Sequence, residues 1–358
     1  MHDDNPLSRP SRRKAITTLL AAAALPSATR VLAAAPPAEA ITPALIEAAR
    51  KEGAVNWYTA MDLPAAEALA KLFEAKFPGI KVRVERSGSE RVFSRIAQEL
   101  SSRITNVDVV TTADASHAIV WKRDGLLAPY LTEDVARFYK PEHKDIDGTY
   151  AIHRAHLSVI AYNKELVKAE DAPKSYADLL NPKWLGKMVK GNPSYSGSIM
   201  TATFQIARDL GWSYYEKLAK QKVLQVQSSV DPPKKIALGE RAVMADGGDY
   251  NVWQHQQKGA PLEIVYATEG NPFITNPNAV FKTAPHPNAA RLYQNWMLSG
   301  EGQQHSVDIT GIYSLHSEVK AKAGRKALAD IKLMKDDPAA IEAQSDEIKA
   351  RYTKLFGV

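Results

Sequence analysis

The feature that most constrains the fold is a repeated alternation of strand-like and helix-like segments between residues 54 and 123. Residues 54–59, 80–84 and 107–110 have the apolar or alternating composition of short strands. Each is followed by a stretch with apolar residues at helical spacing, and Pro-Gly or Asp-Gly pairs separate the segments. This order predicts an α/β fold in which a parallel sheet carries helices on both faces.

The second half of the chain alternates less regularly and predicts a second α/β unit. Strand-like segments at residues 160–163 and 272–282 could carry the chain between the two units, so both are hinge candidates. Ligands of such sheets bind beyond the carboxyl ends of the strands, so a cleft between two lobes is expected. The predicted boundaries are 41–158 plus 273–320 for lobe 1, 159–272 for lobe 2, and 321–358 for a C-terminal helical segment packed on the lobes.

The N-terminus has the three parts of an export signal. A polar head with basic residues ending at Lys14 precedes an apolar stretch over residues 15–25, and small residues follow. Residues 1–35 are therefore predicted to be a signal peptide, cleaved near Ala35 or Ala40, and the protein is expected in the periplasm. The two arginines directly before Lys14 are typical of a twin-arginine signal. The usual Phe of that motif is missing, so the general export route stays open.

Composition narrows the function classes. The formal net charge is +6, and residues 1–35 contain five basic and two acidic residues. The remaining chain is therefore only weakly basic, and its charge gives no support for nucleic-acid binding. The chain has no Cys, which excludes disulfides and a lipid anchor on an N-terminal Cys. No second apolar stretch is long enough to span a membrane. Because no hydrolase or phosphate-loop motif is present, we expect that the protein is not an enzyme. We also expect it to be a monomer.

Seven segments in a fixed order resemble a known family. They are residues 55–59, 73–82, 108–110, 160–163, 176–184, 194–197 and 300–304. Together they resemble the extracellular solute-binding proteins of bacterial ABC importers, in the branch with ferric-iron, thiamine and phosphonate binders. The resemblance implies a type II periplasmic-binding-protein fold, whose two lobes close on hinge strands around one small ligand. It also implies that the closed form docks on an ABC permease at the inner membrane.

Candidate ligand-binding residues lie in the loops that follow the predicted strands and at the helix starts after them. Two of these helix starts, residues 87–89 and 194–198, are rich in hydroxyl groups, and free helix N–H groups favour an anion there. We therefore expect a small organic anion, such as a phosphonate, a phosphate ester or a carboxylate. The predicted ligand-binding residues are Tyr58, Thr59, Ser87, Gly88, Ser89, Thr112, Asp114, Tyr195, Ser196, Gly197, Ser198, Asp249, Tyr250 and Glu269.

Ferric iron is the alternative ligand. In the iron binders of the resembling family, two adjacent tyrosines hold the metal, but here Tyr250 has Asp249 beside it. The family's His and Glu ligands are not evident in the first loop, where Asp62 could take their place. The pair Tyr214-Tyr215 lies in a helical stretch, where adjacent side chains point about 100° apart, and is not expected to bind a metal. No resident cofactor is predicted, and Fe³⁺ would be the transported ligand.

Overall fold

The computed structural model describes residues 35–358, so the predicted signal peptide lies outside the described residues except for Ala35. No helix in the described part of the chain is long and apolar enough to cross a membrane. The strands are β1 (Ala54–Thr59), β2 (Lys81–Arg86), β3 (Val109–Thr111), β4 (Ala151–Leu157), β5 (Ile160–Asn163), β6 (Met188–Gly191), β7 (Leu224–Val226), β8 (Val243–Met244), β9 (Leu262–Val265) and β10 (Phe273–Val280). The α-helices are α1 (Pro43–Glu52), α2 (Leu63–Lys76), α3 (Ser89–Ser101), α4 (Ser116–Arg123), α5 (Glu133–Phe138), α6 (Gly197–Leu210), α7 (Trp212–Ala219), α8 (Asp231–Ala237), α9 (Asp249–Gln257), α10 (Pro287–Leu298), α11 (Gly300–Thr310) and α12 (Pro338–Phe356).

Two five-stranded sheets divide the fold into two lobes. The sheet of lobe 1 has the order β2-β1-β3-β10-β4, and that of lobe 2 has the order β7-β6-β8-β5-β9. The predicted α/β class with two lobes is confirmed, but the first sheet is mixed rather than parallel. Strand β10 enters it from lobe 2 and runs antiparallel to both β3 and β4. The strand at the predicted second hinge segment is thus present, but its antiparallel direction leaves no local signal in the sequence.

The core of lobe 1 follows from the alternation of β1. Trp57 packs on one face of the sheet with Phe73, Tyr293 and Trp296, from α2 and α10. Its neighbour Tyr58 packs on the opposite face, in the cluster that contains residues of α3 and α4. Successive residues of a strand point to opposite faces, so both layers of helices are held by one strand.

The chain crosses between the lobes at two short connections. Ser158 and Val159 join β4 to β5, and their backbone N–H groups donate to Pro272 O at 3.0 Å and Gly247 O at 2.9 Å. Residues 266–272 join β9 to β10. The strand predicted at residues 160–163 is β5, and the connection between the lobes lies directly before it, at Ser158 and Val159.

The C-terminal segment differs from the predicted helical tail. Only α12 and a short 3₁₀ helix at Leu328–Asp330 are helical after residue 320. The Ala- and Lys-rich composition favours a helix, but tertiary contacts override it: the side chain of Arg325 pairs with Asp249, and Leu333 forms a β-bridge with Asn271. A helix was also missed at α8, where two prolines occupy the first turn and are tolerated because no intrahelical N–H is lost there.

Helix α12 contacts both lobes. Its apolar residues Ile341 and Ile348 pack on Met200 and Phe204 of α6. Toward lobe 1 it makes ion pairs, from Lys349 to Glu90 at 2.6 Å and from Glu342 to Arg123 at 2.8 Å. The helix therefore contacts both lobes, with apolar packing and one ion pair, Arg351–Glu216, against lobe 2 and ion pairs against lobe 1.

Candidate functional site

The two lobes touch along the cleft, so the structure is the closed form. Gly197, the first residue of α6 in lobe 2, lies directly against Ser89 and Asp114 of lobe 1. A Cβ atom on Gly197 would be 2.8 Å from Asp114 Cβ and 2.9 Å from Ser89 Cβ. A Cβ atom on Gly88 would lie only 2.5 Å from Tyr195 O. The glycines at these two loop tips let the helix starts of the two lobes meet.

A buried guanidinium lies at the junction of the lobes. Arg154 on β4 is 2% exposed, and within residues 35–358 its Nε and Nη1 atoms have no hydrogen-bond partner. Its Cζ atom lies 5.6 Å from the centre of the Tyr250 ring, at the start of α9 in lobe 2. A buried cation without a paired anion is costly, because the protein interior does not replace the lost hydration. Arg154 is therefore suited to receive an acidic group of a ligand.

A hydrogen-bonded chain next to Arg154 links the hinge to α6. His156 Nδ1 lies 3.0 Å from Asn276 Oδ1, and His156 Nε2 lies 3.0 Å from Ser198 Oγ. Asn276 Nδ2 donates to Thr112 O at 2.9 Å, which fixes the amide with Oδ1 toward the histidine. His156 Nδ1–H therefore donates to Asn276, and Ser198 donates its hydroxyl proton to Nε2. This arrangement leaves the lone pairs of Ser198 and the N-terminus of α6 beside the cleft.

Burial keeps His156 neutral. Loss of solvation, together with the charge of Arg154, lowers the pKa of His156 to about 3. Because the imidazole is uncharged near pH 7, Arg154 is the cation that acts on this part of the cleft.

The phenol of Tyr250 lies beside Arg154 and His156 and has charges of both signs near it. Burial raises the pKa of Tyr250 to about 12, with Asp62 adding to the rise and Arg154 and Arg86 opposing it. Because this pKa lies far above 7, the Tyr250 phenol is protonated near neutral pH. Arg86 donates from Nε to Met61 O at 3.2 Å, which holds its side chain over the first loop. Lobe 1, the hinge strand and lobe 2 each contribute to this group.

Acidification should weaken the fold through His156. Its folded pKa lies below the unfolded value of about 6.5, so the stability it contributes is fully present above that pH. As the pH falls toward 3, this contribution is lost at up to about 1.4 kcal/mol per pH unit. Melting temperatures from about pH 7 to about pH 4 should fall more steeply for the wild type than for His156→Gln. The same substitution at the partly exposed His305 is the control, and parallel curves for wild type and His156→Gln would contradict the prediction.

Most of the predicted site residues lie along the cleft, although several have structural partners there. Ser89 Oγ accepts from Ala113 N at 3.0 Å, and Asp114 Oδ1 accepts from Ser116 N at 2.9 Å. Thr112 Oγ1 donates to Asp114 O at 3.1 Å. Ser196 caps α6. The predicted residues at or beside the lobe contact are Ser87, Gly88, Ser89, Thr112, Asp114, Tyr195, Ser196, Gly197, Ser198 and Tyr250.

Two predicted residues at the end of β1 have other roles. Tyr58 points into the core of lobe 1, where its hydroxyl donates to Glu99 at 2.9 Å and Arg95 covers its ring. Thr59 is fully buried, and its Oγ1 lies 2.7 Å from Thr111 Oγ1. Both side chains therefore support the sheet. The loop after β1 places Asp62, rather than these two residues, toward Tyr250.

Asp249 and Glu269 are also occupied elsewhere. Asp249 is fully buried, accepts from Leu157 N at 3.0 Å and pairs with Arg325. Glu269 lies at the side of lobe 2 and accepts from Ala177 N at 3.1 Å. We therefore leave Asp249 and Glu269 out of the proposed ligand shell. The Arg325 partner follows Asp249 by 76 residues along the chain, so no local pattern announced it.

The sequence analysis did not identify the polar residues of β4 and β10 that lie at the junction of the lobes. Arg154 and His156 alternate within a strand whose seven residues are all buried. Asn276 repeats the pattern on β10. Polar side chains at every second position of a buried strand could have indicated a binding site, because buried polar groups need hydrogen-bond partners.

The two residues predicted as alternative iron ligands, Tyr250 and Asp249, differ in how their side chains are occupied. The carboxylate of Asp249 accepts from Leu157 N and pairs with Arg325, so an ion at Tyr250 and Asp249 would have to displace these partners. Tyr214 and Tyr215 lie in the core of lobe 2. Within residues 35–358, one group of His, Asp and Glu has ligand atoms within 4.8 Å of one another: Glu90, Asp114 and His117. There the Lys349 ammonium already pairs with Glu90.

Comparison with known proteins agrees with this architecture. The family model described as bacterial extracellular solute-binding protein matches residues 55–306. The probable ABC transporter periplasmic-binding protein y4fP of Sinorhizobium fredii is 21% identical over 79% of this chain and 80% of its own length. The periplasmic binding protein AfuA from Actinobacillus pleuropneumoniae, with exogenous fructose-6-phosphate bound, has a TM-score of 0.78 at 22% identity, covering 86% of this chain and 99% of that one. Iron-bound HitA from Pseudomonas aeruginosa has a TM-score of 0.73 at 25% identity, covering 84% and 99%. The chain belongs to the bacterial extracellular solute-binding protein family.

Proposed function

We propose that this protein captures a small organic anion in the periplasm and delivers it to the permease of an ABC importer. Arg154 is the observation that carries the proposal, because a buried guanidinium with free donors needs an acidic partner. The hydroxyl of Ser198, at the N-terminus of α6, bonds to His156, on which the charge of Arg154 also acts, and this helix start favours the same charge. Transport is the role that the name of the Sinorhizobium relative gives to that protein, and the predicted export signal is consistent with it.

Ligand-driven closure supplies the coupling to transport. The ligand contacts we propose come from both lobes and from the hinge strand β4, so they are complete only when the lobes meet. A ligand that binds the closed form better than the open form shifts the population toward closure. The closed form then presents both lobes together to the permease. No resident cofactor is needed for this cycle.

A hydrolase is the rival function, since Ser198, His156 and Asn276 are joined in the order of a nucleophile, a base and an orienting amide. The pKa of His156 argues against it. A general base works best when its pKa is near the working pH, whereas burial and Arg154 disfavour the imidazolium that would have to form. Asn276 supplies no negative charge to offset this. We therefore propose that the chain of hydrogen bonds orients Ser198 for binding, without chemical conversion of the ligand.

Ferric iron remains the second candidate ligand, because the iron-bound HitA shares the fold. The same fold in AfuA holds a sugar phosphate, so architecture does not choose between them. In this chain the phenol of Tyr250 is protonated and Asp249 is paired with Arg325. An iron site would have to deprotonate the first and free the second, which makes the organic anion the better-supported ligand.

A thermal-shift screen of the purified protein tests the proposal. Phosphate esters, phosphonates, carboxylates and ferric citrate are added separately, and calorimetry measures the affinity of any that bind. A true ligand at 100 times its Kd should stabilise the fold by about 2.7 kcal/mol and raise the melting temperature by several degrees. Stabilisation by ferric citrate alone, with a visible charge-transfer band lost in Tyr250→Phe, would replace the organic anion by iron. Turnover of an added ester would contradict the binding role.

A further inference from the structure

Helix α12 is anchored in lobe 2 by buried side chains. Tyr352 is fully buried, and its hydroxyl accepts from Lys190 Nζ at 2.7 Å and donates to Gln225 Oε1 at 2.6 Å. Lys190 is itself buried and lies 3.2 Å from a carboxylate oxygen of Asp246. Separating α12 from lobe 2 would leave these buried polar groups without partners, which is costly. We therefore expect α12 to move with lobe 2.

The contacts of α12 with lobe 1 are of a different kind. They include the two ion pairs from Lys349 to Glu90 and from Glu342 to Arg123. The side chain of Lys349 is 31% exposed and that of Glu342 is 30% exposed. Partly exposed ion pairs are readily replaced by contacts with water. The interface with lobe 1 is therefore the one that opens when the lobes separate.

Glu90 connects this interface with the cleft. It follows Ser89, which faces Gly197 across the cleft, and its Oε1 lies 3.1 Å from His117 Nε2. Burial raises the pKa of Glu90, but the hydrogen bond with His117 and the charge of Lys349 outweigh it and hold this pKa well below its usual value. Glu90 is therefore ionised. In the closed form little water reaches its carboxylate, so the Lys349 ammonium compensates for the lost hydration.

We propose that α12 is a latch, carried by lobe 2, whose Lys349 pairs with Glu90 of lobe 1 only when the lobes close. Lys349 is then a positioning residue for ligand binding, although it is not one of the proposed ligand contacts. It lowers the free energy of the closed form relative to the open form, and any ligand that needs the closed form binds more tightly as a result. The inference depends on lobe closure and not on the chemistry of the ligand.

Lys349→Met tests the latch. Calorimetry measures the Kd of methyl phosphate, methylphosphonate, propionate and ferric citrate separately. For a probe that binds the wild type, the Kd should rise about fivefold or more, the lower end of typical couplings between separate sites. Arg351→Met is the matched control, because Arg351 lies on the same helix but pairs with Glu216 of lobe 2 at 3.4 Å. It should leave the Kd unchanged, and equal losses in the two variants would overturn the latch.

Glu90→Gln separates the latch from a direct effect of charge on the ligand. A direct electrostatic effect would change the affinity in opposite directions for Glu90→Gln and Lys349→Met, because the two substitutions remove charges of opposite sign. The latch needs both partners, so both substitutions should weaken binding. Changes of opposite sign would overturn the latch.

Spin labels show which lobe carries α12. The chain has no Cys, so two introduced cysteines carry the labels. Glu347 of α12, Lys71 of α2 and Lys234 of α8 are exposed. When a binding probe is added, the distance between labels at Glu347→Cys and Lys71→Cys should change, and that between Glu347→Cys and Lys234→Cys should not. The reverse pattern would show that α12 moves with lobe 1 and would overturn the latch.

Failure of the proposed function can be told apart from failure of the latch. If none of the four probes binds, the proposed function fails, and the latch is tested without ligand. Labels at Lys71→Cys and Lys234→Cys should then report fewer closed molecules in Lys349→Met than in the wild type. Identical distance distributions would overturn the latch.

Discussion

Replacing Arg154 by methionine is expected to weaken ligand binding more than any other single substitution in the cleft. Removing one partner of a buried charged pair costs about 2–5 kcal/mol, which corresponds to roughly 30-fold to several thousand-fold in Kd. The unliganded protein should keep its melting temperature or gain stability, since the substitution removes a buried cation for which residues 35–358 supply no paired anion. Calorimetry with an anion found in the screen, and a thermal melt without it, measure the two effects.

The same substitution at a paired arginine is the control. Arg325 is buried like Arg154 but pairs with Asp249, so Arg325→Met leaves that carboxylate alone in the interior. It should lower stability by about 3–5 kcal/mol. Arg154→Lys keeps the charge and loses the planar fork, and it should bind with an affinity between those of the wild type and Arg154→Met. A large fall in the stability of unliganded Arg154→Met would show that Arg154 is structural, contrary to the proposal.

Gly197→Ala is expected to hold the lobes apart. The new Cβ atom would lie 2.8 Å from Asp114 Cβ and 2.9 Å from Ser89 Cβ, both across the cleft. These neighbours sit at buried helix starts and cannot move away cheaply. In the open form nothing across the cleft meets the methyl group, and alanine is the better helix former. Affinity for the ligand should therefore fall by about tenfold or more, while the unliganded protein keeps its stability.

Small-angle scattering separates a closure defect from a binding defect. The radius of gyration of the wild type should decrease when ligand is added, and that of Gly197→Ala should not. Gly300→Ala is the matched control, because Gly300 is also the first residue of a helix and its added Cβ would meet nothing closer than 3.5 Å. Normal compaction of Gly197→Ala with saturating ligand would show that the contact does not limit closure.

The strand and helix order of the first lobe could be predicted because the signals are local. The predicted strand at residues 54–59 is β1, and the apolar stretches after it are α2 and α3 within a residue or two. The hydroxyl-rich helix start predicted at residues 194–198 contains Gly197, the first residue of α6. By contrast, β10 joins β3 and β4 across more than a hundred residues, and its antiparallel direction is set by the path of the chain through lobe 2.

The residues of the candidate site also fall into two groups, those that a local sequence pattern can indicate and those that it cannot. Loops after strands and glycines at helix starts could be found from local pattern, and they supplied Gly88, Gly197 and Ser198. The pairing of Asp249 with Arg325 could not be predicted from a local pattern, because the two residues are distant in sequence and only the fold brings them together.

The sequence by itself determined the α/β class, the two lobes and the hydroxyl-rich helix starts that meet at the cleft, because periodicity, capping and turn residues act over a few positions. Only the tertiary structure decided which polar groups lack a partner. Tyr58 bonds to Glu99, and Asp249 bonds to Leu157 N and Arg325. Within residues 35–358, Nε and Nη1 of Arg154 and Oδ1 of Asp62 have no hydrogen-bond partner. A free hydrogen-bonding group is defined by everything packed around it, and that surrounding is assembled from segments far apart in the chain.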